Sequence, residues 1–186
     1  MVEFPSEGTA FVVMTIGHST RTLETFVHLL QTFEVKQVVD IRTVPRSRHN
    51  PQFNGETLPD DLKAAGVEYL HMPGLGGLRH PRPGTENAGW HNASFKGFAD
   101  YMGTPDFENH LGELIELARQ QRTALMCAEA LPWRCHRSLI SDALEVRGIG
   151  VNHIFSSTHL QPHRMTPFAH VNGTRLTYPV EKTLMQ

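Results

Sequence analysis

Apolar runs and stretches of helical periodicity alternate along this chain. Phe11-Val12-Val13-Met14-Thr15-Ile16 is a short apolar run that ends in Gly17-His18-Ser19-Thr20. This pattern predicts a buried strand followed by a turn that can start a helix. Leu23, Phe26, Val27, Leu29, Leu30 and Phe33 then recur at helical spacing, and Val38-Val39-Asp40-Ile41 reads as a second buried strand running into Arg42. After an irregular stretch from Thr43 to Pro59, a short helix around Leu62 to Ala65 stops at Gly66 and leads into the strand Val67 to His71. Helical periodicity returns over Phe95 to Met102 and Phe107 to Arg119. Thr123 to Cys127 is a fourth strand, Pro132 to Arg147 a helix closed by Gly148, and Val151 to Phe155 a fifth strand. From Ser156 onward the apolar pattern fades.

Strands that alternate with helices imply right-handed crossovers and an α/β fold, with a mainly parallel sheet of about five or more strands flanked by helices. The expected organisation is one domain over residues 1–186, with 156–186 a C-terminal tail packing on it. Ligands of such sheets bind outside the carboxyl ends of the strands. Here four predicted strands end in polar groups, at His18-Ser19, Asp40-Arg42, His71 and Cys127-Glu129. Their convergence predicts a single pocket. The loop from Met72 to Asn92, rich in Gly, Pro, Arg and His, is long enough to be functional or mobile.

Composition narrows the classes. With 39% hydrophobic and 19% charged residues the chain is not of the disordered type, and no apolar run approaches the roughly 20 residues of a membrane span. Met1 to Ala10 lacks a basic segment before an apolar one, so no signal peptide is expected. A cytoplasmic location follows as an expectation, with the two cysteines, Cys127 and Cys135, reduced there. The net charge of −2 and pI near 6.6 count against a general nucleic-acid binder.

The densest chemistry lies in Cys127-Ala128-Glu129-Ala130-Leu131-Pro132-Trp133-Arg134-Cys135-His136-Arg137. Pro132 suits the first position of a helix, which would put Cys135 one turn in, near the positive end of the dipole. A thiol there can be a nucleophile assisted by Arg134, His136 or Arg137, or a small buried apolar residue. Glu129 can be a general acid or base, or the ion-pair partner of Arg137 or Arg42. Cys127, Cys135 and His136 raise the question of a metal, but seven residues separate the cysteines, unlike the short spacings of zinc sites. A metal is therefore not favoured. Arg42, Arg46, Arg48, Arg79, Arg82 and Arg137 fall on or beside ligand-side loops, where their planar forks suit phosphate or carboxylate. Gly74 to Gly77 can bring backbone close to a ligand but matches neither a phosphate loop nor a dinucleotide fingerprint, so no cofactor is assigned. Tyr69, Trp90 and Tyr101 can stack on a ring or fill the core.

Taken in order, several segments resemble one family. These are Thr15-Ile16-Gly17-His18-Ser19, Val39-Asp40-Ile41-Arg42 with Pro45-Arg46-Ser47, Tyr69 to Pro73 with Leu75-Gly76-Gly77, Phe98 to Met102, and Cys127-Ala128-Glu129 followed by Cys135-His136-Arg137. The chain resembles the domain of unknown function family 488 over positions 15 to about 155. The resemblance implies an α/β domain and no particular activity. Leu131 stands where the family tends to have an acidic residue before the proline, which leaves the helix start without a carboxylate cap.

The leading expectation is a small enzyme, a hydrolase or transferase, acting on a phosphorylated or other anionic, nucleotide-like substrate. His18, Asp40, Glu129, Cys135 and His136 are its catalytic candidates. Ser19, Arg42, Arg46, His71, Arg79, Tyr101, Cys127 and Arg137 are the candidates for holding substrate. Two alternatives are a nucleic-acid-binding or nucleic-acid-processing protein, using the loops Arg42 to His49 and Arg79 to His91 with Trp90, and a ligand-binding module without chemistry. Oligomeric state is open.

Overall fold

A computed structural model describes residues 11–180. The reading of Met1 to Ala10 and the last six residues of the expected tail lie outside the described residues. β1 (Val12–Gly17), β2 (Gln37–Asp40), β3 (Glu68–His71), β4 (Thr123–Cys127), β5 (Gly150–Ser156) and β6 (His159–Pro162) form a six-stranded sheet in the order β3-β2-β4-β1-β5-β6. All neighbours are parallel except β5 and β6. The strands β2 and β4 are buried at every position, which is why they read as continuous apolar runs rather than as alternation.

Five helices cover the two faces: α1 (Leu23–Thr32), α2 (Leu58–Ala64), α3 (Ala93–Met102), α4 (Pro105–Gln120) and α5 (Arg137–Glu145). Met14, Ile16, Val38, Ala124 and Met126 face Phe26, Leu29 and Leu30 of α1 and Leu58 and Leu62 of α2. Their odd-numbered neighbours Val13, Val39, Leu125 and Val151 face Phe98 of α3, Phe107, Leu111 and Leu114 of α4, and Leu139 and Ile140 of α5. The period-2 alternation of a strand thus builds two separate cores. Side-chain oxygens start three helices, with Thr22, Asn92 and Thr104 accepting from backbone amides two or three residues further on.

This winding decides where a cavity can open. The connection leaving β1 crosses on the α1 side, as does the one leaving β2, whereas those leaving β3 and β4 cross on the side of α3, α4 and α5. Beyond the carboxyl ends of the neighbouring strands β2, β4 and β1 the chain therefore departs to opposite faces, and a crevice is left between.

One sequence expectation is corrected here. Pro132 does not open a helix running to Arg147. A 3₁₀ turn, Pro132–Arg134, comes first; Cys135 is then extended at φ −133° and ψ 142°, and α5 begins only at Arg137. No side chain caps that turn at Leu131, and its single-turn bonds end with Cys135 N–H donating to the Pro132 carbonyl. The described part of the region after Ser156 carries strands of its own. It adds β6 antiparallel to the sheet edge, then a hairpin of β7 (His170–Asn172) and β8 (Arg175–Thr177), and it buries Leu176 and Tyr178 in the larger core.

A polar chain pins this segment down. Thr15 Oγ1 donates to His153 Nδ1 at 2.7 Å, His153 Nε2 to His163 Nδ1 at 3.0 Å, and His163 Nε2 to Asp142 at 2.8 Å. Asp142 is fully buried and also accepts from the Thr166 amide and the Tyr178 hydroxyl. Replacing Asp142 with Ala would orphan three buried donors, and we expect a loss of about 3 kcal/mol or more in urea unfolding. Arg175→Ala, which breaks the exposed pair with Glu86, should cost under about 1 kcal/mol. Equal costs for the two variants would contradict this account.

Candidate functional site

At the end of β2 the chain carries Asp40 and Arg42 on the same buried side. The Asp40 carboxylate accepts from Arg42 Nε at 2.9 Å, from Arg42 Nη2 at 2.6 Å and from the Tyr69 hydroxyl at 2.7 Å. Arg42 Nη2 also donates to the Phe53 carbonyl, and Nη1 meets His18 Nε2 at 3.2 Å. Burial works against the Arg42 charge, but the hydrogen-bonded Asp40 carboxylate outweighs it and raises the group further. Burial and the Asp40 charge push the Tyr69 phenol up as well. His18 stacks on Phe53 with ring centroids 4.3 Å apart, and its Nδ1–H donates to the Ser19 carbonyl, so the Nε2 lone pair faces Arg42. Burial pushes His18 down to about 4, with Arg42 adding to the fall and the Ser19 carbonyl opposing it. Ser19 itself has φ 48°, which turns the chain from β1 toward α1.

At the end of β4 the chain must rise over Gly17. A Cβ on Gly17 would stand 1.9 Å from the Glu129 carbonyl oxygen, so only glycine admits the crossing. Arg137, 1% exposed, holds this loop from below, donating from Nη1 to the Glu129 carbonyl at 2.6 Å and from Nη2 to the Ala130 carbonyl at 2.8 Å. The extended backbone at Cys135 brings its thiol back toward Cys127. The two sulfurs and a ring nitrogen of His136 lie within 4.8 Å of one another, with His136 Nδ1 3.8 Å from Cys135 Sγ. Burial alone would raise the Cys135 thiol. The S–H of Cys127, the Arg137 guanidinium and the Arg137 backbone amide at the start of α5 overcome it and lower Cys135 to about 7. The same shared proton, together with burial, drives Cys127 far up.

These groups border a cavity of about 400 Å³ at the carboxyl ends of β2 and β4. Of the residues expected to act, Arg42, Arg46, Cys127, Glu129, Cys135 and His136 line it. His18, Asp40, Ser19, His71, Arg79, Tyr101 and Arg137 do not. They support it instead: His71 Nε2 bonds the Arg42 carbonyl, while Arg79 lies over the Tyr101 ring and, like the Tyr101 hydroxyl, bonds the Gly74 carbonyl. Glu129 is solvent-exposed, and Arg137 takes its carbonyl rather than its carboxylate. Arg46 is exposed and paired with Glu56. Among the described residues, Arg134 and Arg137 are the guanidiniums next to the thiol pair with no carboxylate partner.

Thr43, Asn92, Ser94 and Phe95 also line the wall without having been expected, as does Gly77 of the loop expected to bring backbone close to a ligand. The glycines of the Gly74 to Gly77 loop serve packing: a Cβ at Gly76 would meet Thr43 Oγ1, and one at Gly77 the His136 ring, each at 2.4 Å. Trp90, half-buried, packs against Phe95, Phe168 and Tyr178.

Cys127, Cys135 and His136 are the described side chains grouped so as to hold a metal. Two features work against it. The Nδ1 facing Cys135 would have to give up its hydrogen to Nε2, which is buried without a partner, and the Arg137 guanidinium already neutralises the Cys135 sulfur. With hydrogen on Nδ1 the ring donates to the sulfur, and Nε2 stays a buried acceptor without a partner.

The fold and site define a doubly wound α/β domain with paired thiols at a strand-end cavity. The chain belongs to the family of the domain of unknown function DUF488, whose model matches residues 22–144, from the cap of α1 through α5. This stretch holds every residue of the cavity wall but excludes His18 and Ser19. Comparisons with curated proteins and with solved structures give no match.

His18 and His153, which burial pushes down to about 3, are both held neutral in the fold. Unfolded, each takes up a proton below about pH 6.5. The unfolded state therefore binds more protons between pH 6.5 and about 4, and stability falls as pH is lowered through that window. Each histidine contributes a slope of up to about 1.4 kcal/mol per pH unit. His18→Asn should remove about half of the slope in unfolding curves taken across it. An unchanged slope would contradict a neutral, buried His18.

Proposed function

We propose that this protein is an enzyme in which the Cys135 thiolate attacks a phosphorylated or otherwise anionic, nucleotide-like substrate lying in the strand-end cavity. The observation that supports this most is the juxtaposition of two thiols and a ring nitrogen within 4.8 Å, on the wall of an open cavity beside guanidiniums without carboxylate partners. A volume of about 400 Å³ suits a ligand the size of a mononucleotide. The S–H of Cys127 and the Nδ1–H of His136 steady the sulfur while it is charged. Arg134 on the rim and Arg42 on the wall meet the anion. The Cys135 sulfur displaces a leaving group, which takes a proton from solvent as it departs and leaves the transferred group on the sulfur. Water then attacks that group while the Glu129 carboxylate on the wall accepts its proton, which releases the product and frees the thiolate. His18, Asp40 and Tyr69 are positioning residues that act through Arg42.

Two reagents that differ only in charge test both halves of this reading. Iodoacetate should carboxymethylate Cys135 several-fold faster than iodoacetamide alkylates it, and Arg134→Ala should abolish the preference. Turnover of p-nitrophenyl phosphate or nucleoside monophosphates should fall by about 10²-fold or more in Cys135→Ser. A Cys135 that prefers the neutral reagent, or turnover that survives its replacement, would overturn the proposal.

A further inference from the structure

The second cysteine has a use of its own. Cys127 ends the central strand β4 and Cys135 sits eight positions later, after a loop that climbs over Gly17 and is tied back by Arg137. A cysteine that served only to fill the core would have no reason to face another sulfur at the wall of a cavity. Both thiols line it, although Cys127 is only 7% and Cys135 only 3% exposed. The backbone between them is held at both ends: Ala128 accepts from the Ser19 amide, and Ser138 N–H and Oγ both donate to the Cys135 carbonyl. A bond between the sulfurs then needs side-chain rotation and a shift of the short extended segment at Cys135, with α5 left in place.

We propose that Cys127 and Cys135 form a redox pair that takes hydroperoxides as its substrate class, with Cys135 the attacking and Cys127 the resolving thiol. This rests on the reading of Cys135 as the nucleophilic thiolate. In the first step the Cys135 sulfur attacks one peroxide oxygen and the O–O bond breaks. The sulfur is oxidised to a sulfenic acid, and the other oxygen leaves as hydroxide and takes a proton from water. In the second step the Cys127 sulfur attacks the Cys135 sulfur, the S–O bond breaks, and the sulfenic oxygen leaves as water with the Cys127 proton. The product is an internal disulfide, which a dithiol reductant returns to the starting pair by exchange. The asymmetry suits the roles: Arg137 and the start of α5 favour charge on Cys135, whereas Cys127 keeps its proton until the sulfenic acid forms beside it. While the disulfide lasts, the nucleophile of the proposed function is out of service.

The chain has only two cysteines, so an internal disulfide in it can be only this pair. The full-length reduced protein is treated with equimolar hydrogen peroxide in the presence of dimedone, and free thiols and intact mass are read before and after dithiothreitol. The wild type should lose both titratable thiols and two hydrogens in mass, remain monomeric in non-reducing electrophoresis, take up no dimedone, and recover fully on reduction. Cys127→Ser should stop at the sulfenic acid and carry one dimedone on Cys135, and Cys127→Ala should do the same. Retention of both thiols by wild type whose Cys135 is still labelled by iodoacetate overturns the redox pair and leaves the nucleophile reading standing. Dimedone uptake by the wild type equal to that of the variants does likewise. A Cys135 inert to peroxide and iodoacetate alike removes both.

Discussion

A single buried cation organises the site. Arg137 is 1% exposed and has no carboxylate partner among the described residues, a placement that costs several kcal/mol unless other groups compensate. Two carbonyls of the loop after β4 take its Nη atoms, and the guanidinium lowers the Cys135 thiol beside it. The same contact therefore fixes the path of the loop, anchors the start of α5 and favours the ionised thiol.

Arg42 shows the opposite solution at the end of the neighbouring strand β2. Its charge is paired with Asp40 and two further donors go to Phe53 and His18, which leaves one Nη1 N–H, so it is a pillar of the wall before it is a ligand contact. The two arginines rest on the ends of adjacent strands, β2 and β4, whose onward connections cross on opposite faces of the sheet. The crevice at those strand ends exists because of that divergence.

Much of this was legible in the sequence. β1, β2 and β4 read as buried runs because both their faces are covered, whereas β3 and β5 mix polar residues among the apolar ones. Of the polar residues at the strand ends, Arg42, Cys127 and Glu129 reach the cavity wall, while His18, Asp40 and His71 stand behind it. What escaped has a common physical cause in interactions between distant segments. β6 is a short, polar edge strand whose existence depends on β5 being there to pair with it. The break at Cys135 is invisible to a reading of Pro132 as a helix start, since the return toward Cys127 is a tertiary matter. Spacing rules for metal sites likewise overlooked how an eight-residue climb over Gly17 brings the two sulfurs together. Charge is the hardest to assign along a chain. Arg42, Arg46 and Arg137 look alike in sequence, yet one pairs with Asp40, one with Glu56, and one with backbone carbonyls and a thiol. The Cys-His-Arg tripeptide next to an unmatched arginine was the one local signal of that last arrangement.

The account stands on Cys135 being ionised near neutrality because of its neighbours. The most direct measurement is the ultraviolet absorbance of the thiolate, titrated with pH in the native protein and referenced to Cys135→Ser. The account predicts a midpoint of about 7 that disappears in the variant. A midpoint at or above the roughly 8.5 of a free cysteine would contradict it.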